Sequence, residues 1–283
     1  MKTILVPSDF SEQAGYALDF AFELAKKNQS KLILLHVVEG VGVASGAISA
    51  DMASGAEVTS DDVYMLQLIR VAKDKLADTA SESRFSEVEL ETKIQIGNPY
   101  GSIAEEVTEN DVDLVIMGST GASGIDEVLI GSNTEKVVRY SKCPVLTVKS
   151  EVKCEDIKNI AFATNFTDTD ENVIKELVAL QKTLGAKLHL IRVNTPSNFT
   201  VDREAKKLMS EYAEKHGLED FTLNIYNDLD EEDGILFFAR ETGADLIAMA
   251  THGRTGFFHL ISGSIAEDVV NHAQKPVWTC RIL

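Results

Sequence analysis

The sequence of 283 residues predicts an α/β protein of two similar domains in tandem, each a doubly wound parallel sheet with helices on both faces. Three observations predict it. The first is an internal repeat. ILVPSDFS (4–11) reads like IAFATNFT (160–167), and KLILLHV (31–37) reads like KLHLIRV (187–193) at the same offset. VDLVIMGSTG (112–121) reads like ADLIAMATHG (244–253), and IGSNTEKVVRYSKCPVLTV (130–148) like SGSIAEDVVNHAQKPVWTC (262–280), both at one shorter offset. The second is the alternation of strand and helix patterns within each copy. The third is that ILV, LILL and LVIM are short continuous apolar runs, which suit strands buried on both faces of a parallel sheet.

In chain order, strands are expected at 3–7, 32–37, 89–96, 113–117 and 145–148. Helices are expected over 12–28, 61–83, 99–109 and 132–141. The helix at 12–28 carries Ala14, Ala17, Leu18, Ala21, Phe22, Leu24 and Ala25, a one-face spacing. The second copy repeats the pattern with strands at 160–163, 188–193, 222–226, 245–250 and 277–281. The first copy is the longer. Most of its excess is the segment 40–60, small, rich in Gly, Ala and Ser, weakly periodic, and expected to be a mobile surface loop. The join falls in the polar stretch SEVKCED (150–156), so the expected domains are 1–150 and 157–283.

Composition excludes several classes. Apolar residues are 44% and charged residues 25%, as in a folded globular chain and not a disordered one. With 27 Lys and Arg against 45 Asp and Glu, the net charge is −18. Such a polyanion repels nucleic acid and anionic lipid, so neither is an expected partner, and any phosphate-bearing ligand must be held locally by backbone N–H groups or a metal. Three cysteines, Cys143, Cys154 and Cys280, make no disulfide framework and suit a reducing compartment. No run approaches the ~20 apolar residues of a membrane span, and MKTILVPSDF lacks a signal-peptide core. The expected location is the cytoplasm.

The chemistry concentrates in GSTGASGIDEVLIGSN. Gly118 is followed after two residues by Gly121, after nine more by Gly131, and then by Ser132. Gly118 stands where a strand ends and Gly131–Ser132 where a helix opens. Glycines let a ligand approach the main chain, and free N–H groups at a helix start hold phosphate. The plainer reading is a tight turn with Ser132 as helix N-cap. Asp9 follows the first strand. If the first and fourth strands are neighbours, Asp9 and Gly118 flank the crevice where strand order reverses. The plainer reading there is a capping box of Asp9 with Glu12. His36 is expected as a packed or hydrogen-bonded core histidine, and Cys143 and Cys280 as buried apolar groups. GVGVASG (40–46) imitates a dinucleotide fingerprint in the wrong place, and DLDEEDG (228–234) a calcium loop with its glycine one position late.

With these residues in hand, the sequence resembles the universal stress proteins, in tandem two-domain form, over nearly its whole length. The family's nucleotide motif, Gly, two residues, Gly, nine residues, Gly, Ser/Thr, is matched by Gly118, Gly121, Gly131 and Ser132. Its acidic residue after strand one is Asp9, the residue ending its second strand is Val37, and CPVLTV (143–148) looks like its last strand. The resemblance implies a Rossmann-like, adenine nucleotide alpha hydrolase-like domain, with a five-stranded parallel sheet of order 3-2-1-4-5. It also implies ATP or another adenine nucleotide as ligand, usually with magnesium. Carried over, the adenosine contacts are Pro7, Ser8, Asp9, Val37 and Met117. The phosphate contacts are Gly118, Gly121, Gly131, Ser132, Asn133 and Thr134. The second copy departs from the pattern: Asn165 replaces the acidic residue and Ala250 the first glycine, though Gly253, Gly263 and Ser264 remain. His252 and Arg254 stand in its loop, where the first copy has Thr120 and Ala122.

The expected function is that of an ATP-binding, nucleotide-dependent stress-response regulator acting on a protein partner. The alternatives are a slow magnesium-dependent ATPase, with a metal-activated water at the same site, and an interaction protein that uses the fold without nucleotide. The family's dimerisation through its fifth strands implies that a tandem chain contains that dimer internally, as an antiparallel contact of 145–148 with 277–281. Further homo-oligomers remain open.

Overall fold

A computed structural model describes residues 1–39, 60–119, 130–166, 171–252 and 265–282. In the first copy, β1 (Thr3–Pro7), α1 (Glu12–Asn28), β2 (Lys31–Val38), α2 (Ser60–Ser81) and β3 (Glu89–Ile96) come first, and α3 (Pro99–Glu109), β4 (Leu114–Gly118), α4 (Ser132–Tyr140) and β5 (Val145–Val148) complete it. In the second, β6 (Asn159–Ala163), α5 (Glu171–Leu184), β7 (Lys187–Asn194), α6 (Asp202–Lys215) and β8 (Phe221–Asn227) lead to α7 (Glu231–Thr242), β9 (Leu246–His252), α8 (Ile265–His272) and β10 (Val277–Ile282). The expected loop 40–60 lies outside the described residues except for Ser60, which opens α2.

The ten strands form one sheet of order β3-β2-β1-β4-β5-β10-β9-β6-β7-β8. Each half has the expected 3-2-1-4-5 order, and every pairing within a half is parallel. The halves meet in one antiparallel pairing, Val277 with Thr147, Trp278 with Leu146 and Thr279 with Val145. The internal contact expected between 145–148 and 277–281 is therefore present.

The apolar runs behave as double-sided strands. Ile4 and Val6 face one core with α1, α5 and α6, while Leu5 faces the other with α3, α4, α7 and α8. The first of these cores runs unbroken from Leu32 in one copy through Trp278 to Leu190 in the other. α1 buries Ala14, Ala17, Leu18, Phe20, Ala21, Leu24 and Ala25, which matches its apolar spacing with Phe20 in place of Phe22. Its N-cap is Ser11, whose Oγ accepts from Ala14 N at 3.2 Å. The Asp9 capping box is thereby displaced, because Asp9 sits two residues before the cap and accepts instead from Ser11 N at 2.9 Å. The linker is polar in sequence but not loose. Cys154 is fully buried in a 3₁₀ turn (Cys154–Asp156) and its N–H donates to Glu23 Oε2 at 2.7 Å. The calcium-loop mimic is a helix start, with Asp230 capping α7 through Asp233 N at 2.9 Å.

Candidate functional site

Strand order reverses between β1 and β4, which are paired through Ile4–Leu114 and Leu5–Val115. Ligands of open α/β sheets sit beyond the carboxyl ends of the strands at such a point. Pro7 is the last residue of β1 and Ser8 follows it, its N–H donating to Leu35 O at 2.8 Å. Asp9 is exposed at the rim. Phe10 takes a positive φ of 63°, a rare conformation for a bulky residue, and Phe166 takes the same angle at the same turn of the second copy. The turn is thus a property of the fold. His36 supports it as expected: its Nδ1–H donates to Ser8 O at 2.7 Å and its ring stacks on Phe10, centroids 4.4 Å apart. Val37 is half-buried at the end of β2.

Met117 and Gly118 end β4, so Gly118 is the last strand residue and not the first of a loop. Gly121 lies outside the described residues. Gly131 lies against the end of β4, its N–H donating to Ser119 O at 2.8 Å. Gly131 is the N-cap of α4 and makes no side-chain capping bond, so Ser132 is the first helical residue and not the cap. Ser132 is exposed and Asn133 half-buried. Thr134 is 4% exposed and spends its hydroxyl on Gly118 O at 3.0 Å. Its visible role is to pin the helix start to the strand end.

The geometry therefore gathers Pro7, Ser8, Asp9, Val37, Met117, Gly118, Gly131, Ser132, Asn133 and Thr134 around the ends of β1, β2 and β4. Three features fit an anionic ligand there. The first N–H groups of α4 lack a side-chain acceptor at the cap and form the positive end of its dipole. Ser119 is fully buried, yet its Oγ has no hydrogen-bond partner among the described residues. Lys149, directly after β5, is half-buried and pairs with no carboxylate among the described residues; burial alone disfavours its charge and lowers its pKa, an effect that a neighbouring anion would offset. Sequence reasoning missed Ser119 and Lys149. Ser119 lies inside the motif but at a variable position, and Lys149 reaches the site only because Val148 pairs with Gly118.

The second copy is built differently at the same place. Val193, the counterpart of Val37, is only 8% exposed because α7 closes over it. A Cβ on Gly234 would lie 2.5 Å from Val193 Cγ1. Arg192 stands where the first copy has His36, and ties Asn165 O (3.1 Å) to the Thr200 hydroxyl (3.0 Å). Arg254, Gly253, Gly263 and Ser264 lie outside the described residues, as does the side chain of His252. Among the described residues there is no cluster of three or more His, Cys, Asp or Glu fit to hold a metal, and no helix long and apolar enough to cross a membrane.

Known proteins match this architecture. The model of the universal stress protein family matches residues 1–149 and again 156–281. A universal stress protein of Bacillus subtilis is 32% identical over 152 residues, which is 52% of this chain and 97% of that protein. One from Methanocaldococcus jannaschii is 31% identical over 153 residues, again 52% of this chain and 94% of its own. These relatives are thus about one copy long. The crystal structure of a universal stress protein from Archaeoglobus fulgidus superposes with a TM-score of 0.76 at 23% identity, covering 99% of this chain and 98% of that one, and so shares the whole tandem fold. The chain belongs to the universal stress protein family, with two copies of its domain in tandem.

Proposed function

We propose that the first copy, residues 1–150, binds ATP or another adenine nucleotide at the β1–β4 crevice, and that the chain is a nucleotide-dependent regulator of a stress response. The observation that carries this reading is the junction of Gly131 with Ser119 and of Thr134 with Gly118, which seats an uncapped helix start beside the end of β4. In this reading the first amides of α4 and the hydroxyls of Ser132 and Ser119 face phosphate oxygens, while Pro7 and Val37 offer apolar surface to adenosine and Met117, buried in the core at the end of β4, backs that surface. Asp9 is the carboxylate at the rim, suited to ribose hydroxyls. Magnesium is bound mostly through substrate phosphates and one or two carboxylates, so it belongs with the nucleotide and Asp9. The second copy, 157–283, carries a degenerate motif and a covered Val193. Occupancy of the first copy favours one arrangement of the surface around the starts of α1 and α4, which a protein partner reads. Three free thiols, two of them buried, suit the reducing cytoplasm.

The test is direct. Protein denatured after purification should release an adenine nucleotide, or the apo protein should take up ATP in calorimetry. Ser132→Ala should weaken that binding about tenfold, the loss expected of one hydrogen bond to a charged group. Its unfolding midpoint should not move, because Ser132 is exposed and caps nothing. Wild-type protein that takes up no adenine nucleotide at millimolar concentration overturns the proposal.

A further inference from the structure

We infer that Asn271, in the last turn of α8, is a positioning residue by which the second copy holds the phosphate end of the first copy's site; the inference rests on the nucleotide reading above. Ile130 immediately precedes the N-cap of α4, and its N–H donates to Asn271 Oδ1 at 2.7 Å, across 141 residues of chain. The next amide, Gly131, is held by Ser119 O. Two successive N–H groups at the mouth of the helix are thus fixed, one by β4 and one by the other copy. Both N–H groups are spent on these oxygens, so what they hold in place is the run of free amides that follows at the start of α4; amides already aimed need no reorganisation when an anion arrives, which is where preorganisation raises affinity.

The same residue holds the nearby cation. The main-chain carbonyl of Asn271 accepts from Lys149 Nζ. That carbonyl belongs to the last turn of α8, where C=O groups lack intrahelical partners and the dipole is negative, so it attracts an ammonium. Lys149 follows Val148, whose carbonyl accepts from Ser119 N at 3.1 Å. One asparagine therefore ties together the residue before Gly131 and the lysine after β5, both beside the uncapped start of α4.

Among the described residues the two copies differ here. At the position equivalent to Asn271 the first copy has Arg139, which ion-pairs with Glu267 of α8 at 2.6 Å. At the position equivalent to Lys149 the second copy has Arg281, whose Nε has no partner among the described residues. Among the described residues the second copy reaches the helix mouth of the first through Asn271, while Arg139 of the first copy meets α8 through an ion pair; Ser262, the counterpart of Ile130, lies outside the described residues. A degenerate copy thus keeps a role in binding without a ligand of its own, and the affinity of the first copy is linked to the integrity of the β5–β10 seam.

The experiment uses the full chain as wild type, Asn271→Ala and Asn271→Asp, with ATP and magnesium as the probe. Amide exchange at Ile130 should quicken about tenfold in Asn271→Ala, while exchange in β1 and the unfolding midpoint stay at wild-type values. ATP affinity should fall about fivefold, the size of one neutral hydrogen bond. Asn271→Asp keeps an oxygen acceptor and should restore slow exchange at Ile130. Unchanged ATP affinity in Asn271→Ala overturns the positioning role, as does an affinity loss that tracks a fall in global stability. No ATP binding by wild type overturns the nucleotide reading itself and this inference with it, an outcome told apart because wild type then fails alongside the variants.

Discussion

At Gly118 the backbone of β4 passes so close to α1 that a Cβ would lie 2.9 Å from Gln13 Cβ and 3.0 Å from its carbonyl carbon. Backbone cannot move aside as the tip of a flexible side chain does. The first glycine of the motif is therefore required by helix–strand packing, before any ligand is considered. The second copy carries Ala250 at this position, with its methyl packed against the core. We expect Gly118→Ala to lower the urea midpoint at unchanged slope, by about 1–3 kcal/mol of stability, the usual cost of overpacking. An unmoved midpoint would show that α1 yields freely and that the glycine serves the ligand alone.

Among the elements, the two copies differ most in how the helix after the third strand approaches the second strand. In the second copy α7 presses onto β7 where Gly234 meets Val193, and Asn198 and Thr195 reach Glu231 at the start of α7 at 2.8 and 3.4 Å. In the first copy the same helical position is Ser102, and Val37 keeps part of its surface open. A residue offered to an adenosine ring must be reachable, and burial at Val193 removes that surface. We therefore expect a single tight nucleotide site per chain. Calorimetry should give a stoichiometry of one, and two equivalent sites would contradict the difference drawn between β2 and β7.

Over the whole molecule, the antiparallel seam turns two sheets into one. Trp278, 1% exposed, sits at its middle opposite Leu146, and the hydroxyls of Thr147 and Thr279 each bond across it to a main-chain carbonyl. Both fifth strands, whose edges would otherwise be open to other chains, are covered by each other. A core shared by both copies should unfold as one unit. Fluorescence of Trp278 and far-UV circular dichroism are expected to report one coincident transition, and two separated transitions would show that the copies fold independently. Part of its pH dependence at alkaline pH follows from Cys154, whose thiol is pushed up from 9.0 to about 12, chiefly by burial and also by the nearby Glu23 carboxylate. Between these values the unfolded chain loses this proton while the folded one keeps it. Stability should therefore fall as pH rises above 9, by up to about 1.4 kcal/mol per unit from this group. Cys154→Ala should remove this group's share of the slope and leave that of Cys143, whose thiol burial pushes up to about 11.

How much of this was legible in the sequence differs by feature. The repeat, the buried strand runs, the face of α1 and the frame of Gly118, Gly121, Gly131 and Ser132 are local or periodic signals, and a chain carrying them has few other ways to bury its apolar residues. They determined the fold class, the strand order through the family resemblance, and the region in which a site belongs. The caps were misassigned by one or two residues. Asp9 with Glu12, and Ser132, satisfy the same pattern as Ser11 and Gly131, and only backbone angles tell them apart. What tertiary structure alone decided lies in contacts between residues more than a hundred apart. Ile130 meets Asn271, Lys149 meets the end of α8, and Arg139 meets Glu267 only once β5 and β10 pair in one register. No periodicity within either copy encodes that register. The approach of α7 to Val193 is of the same kind, since Gly234 reads in sequence as the late glycine of a calcium-loop mimic, and the missing side chain acquires its meaning only from the strand packed beneath it.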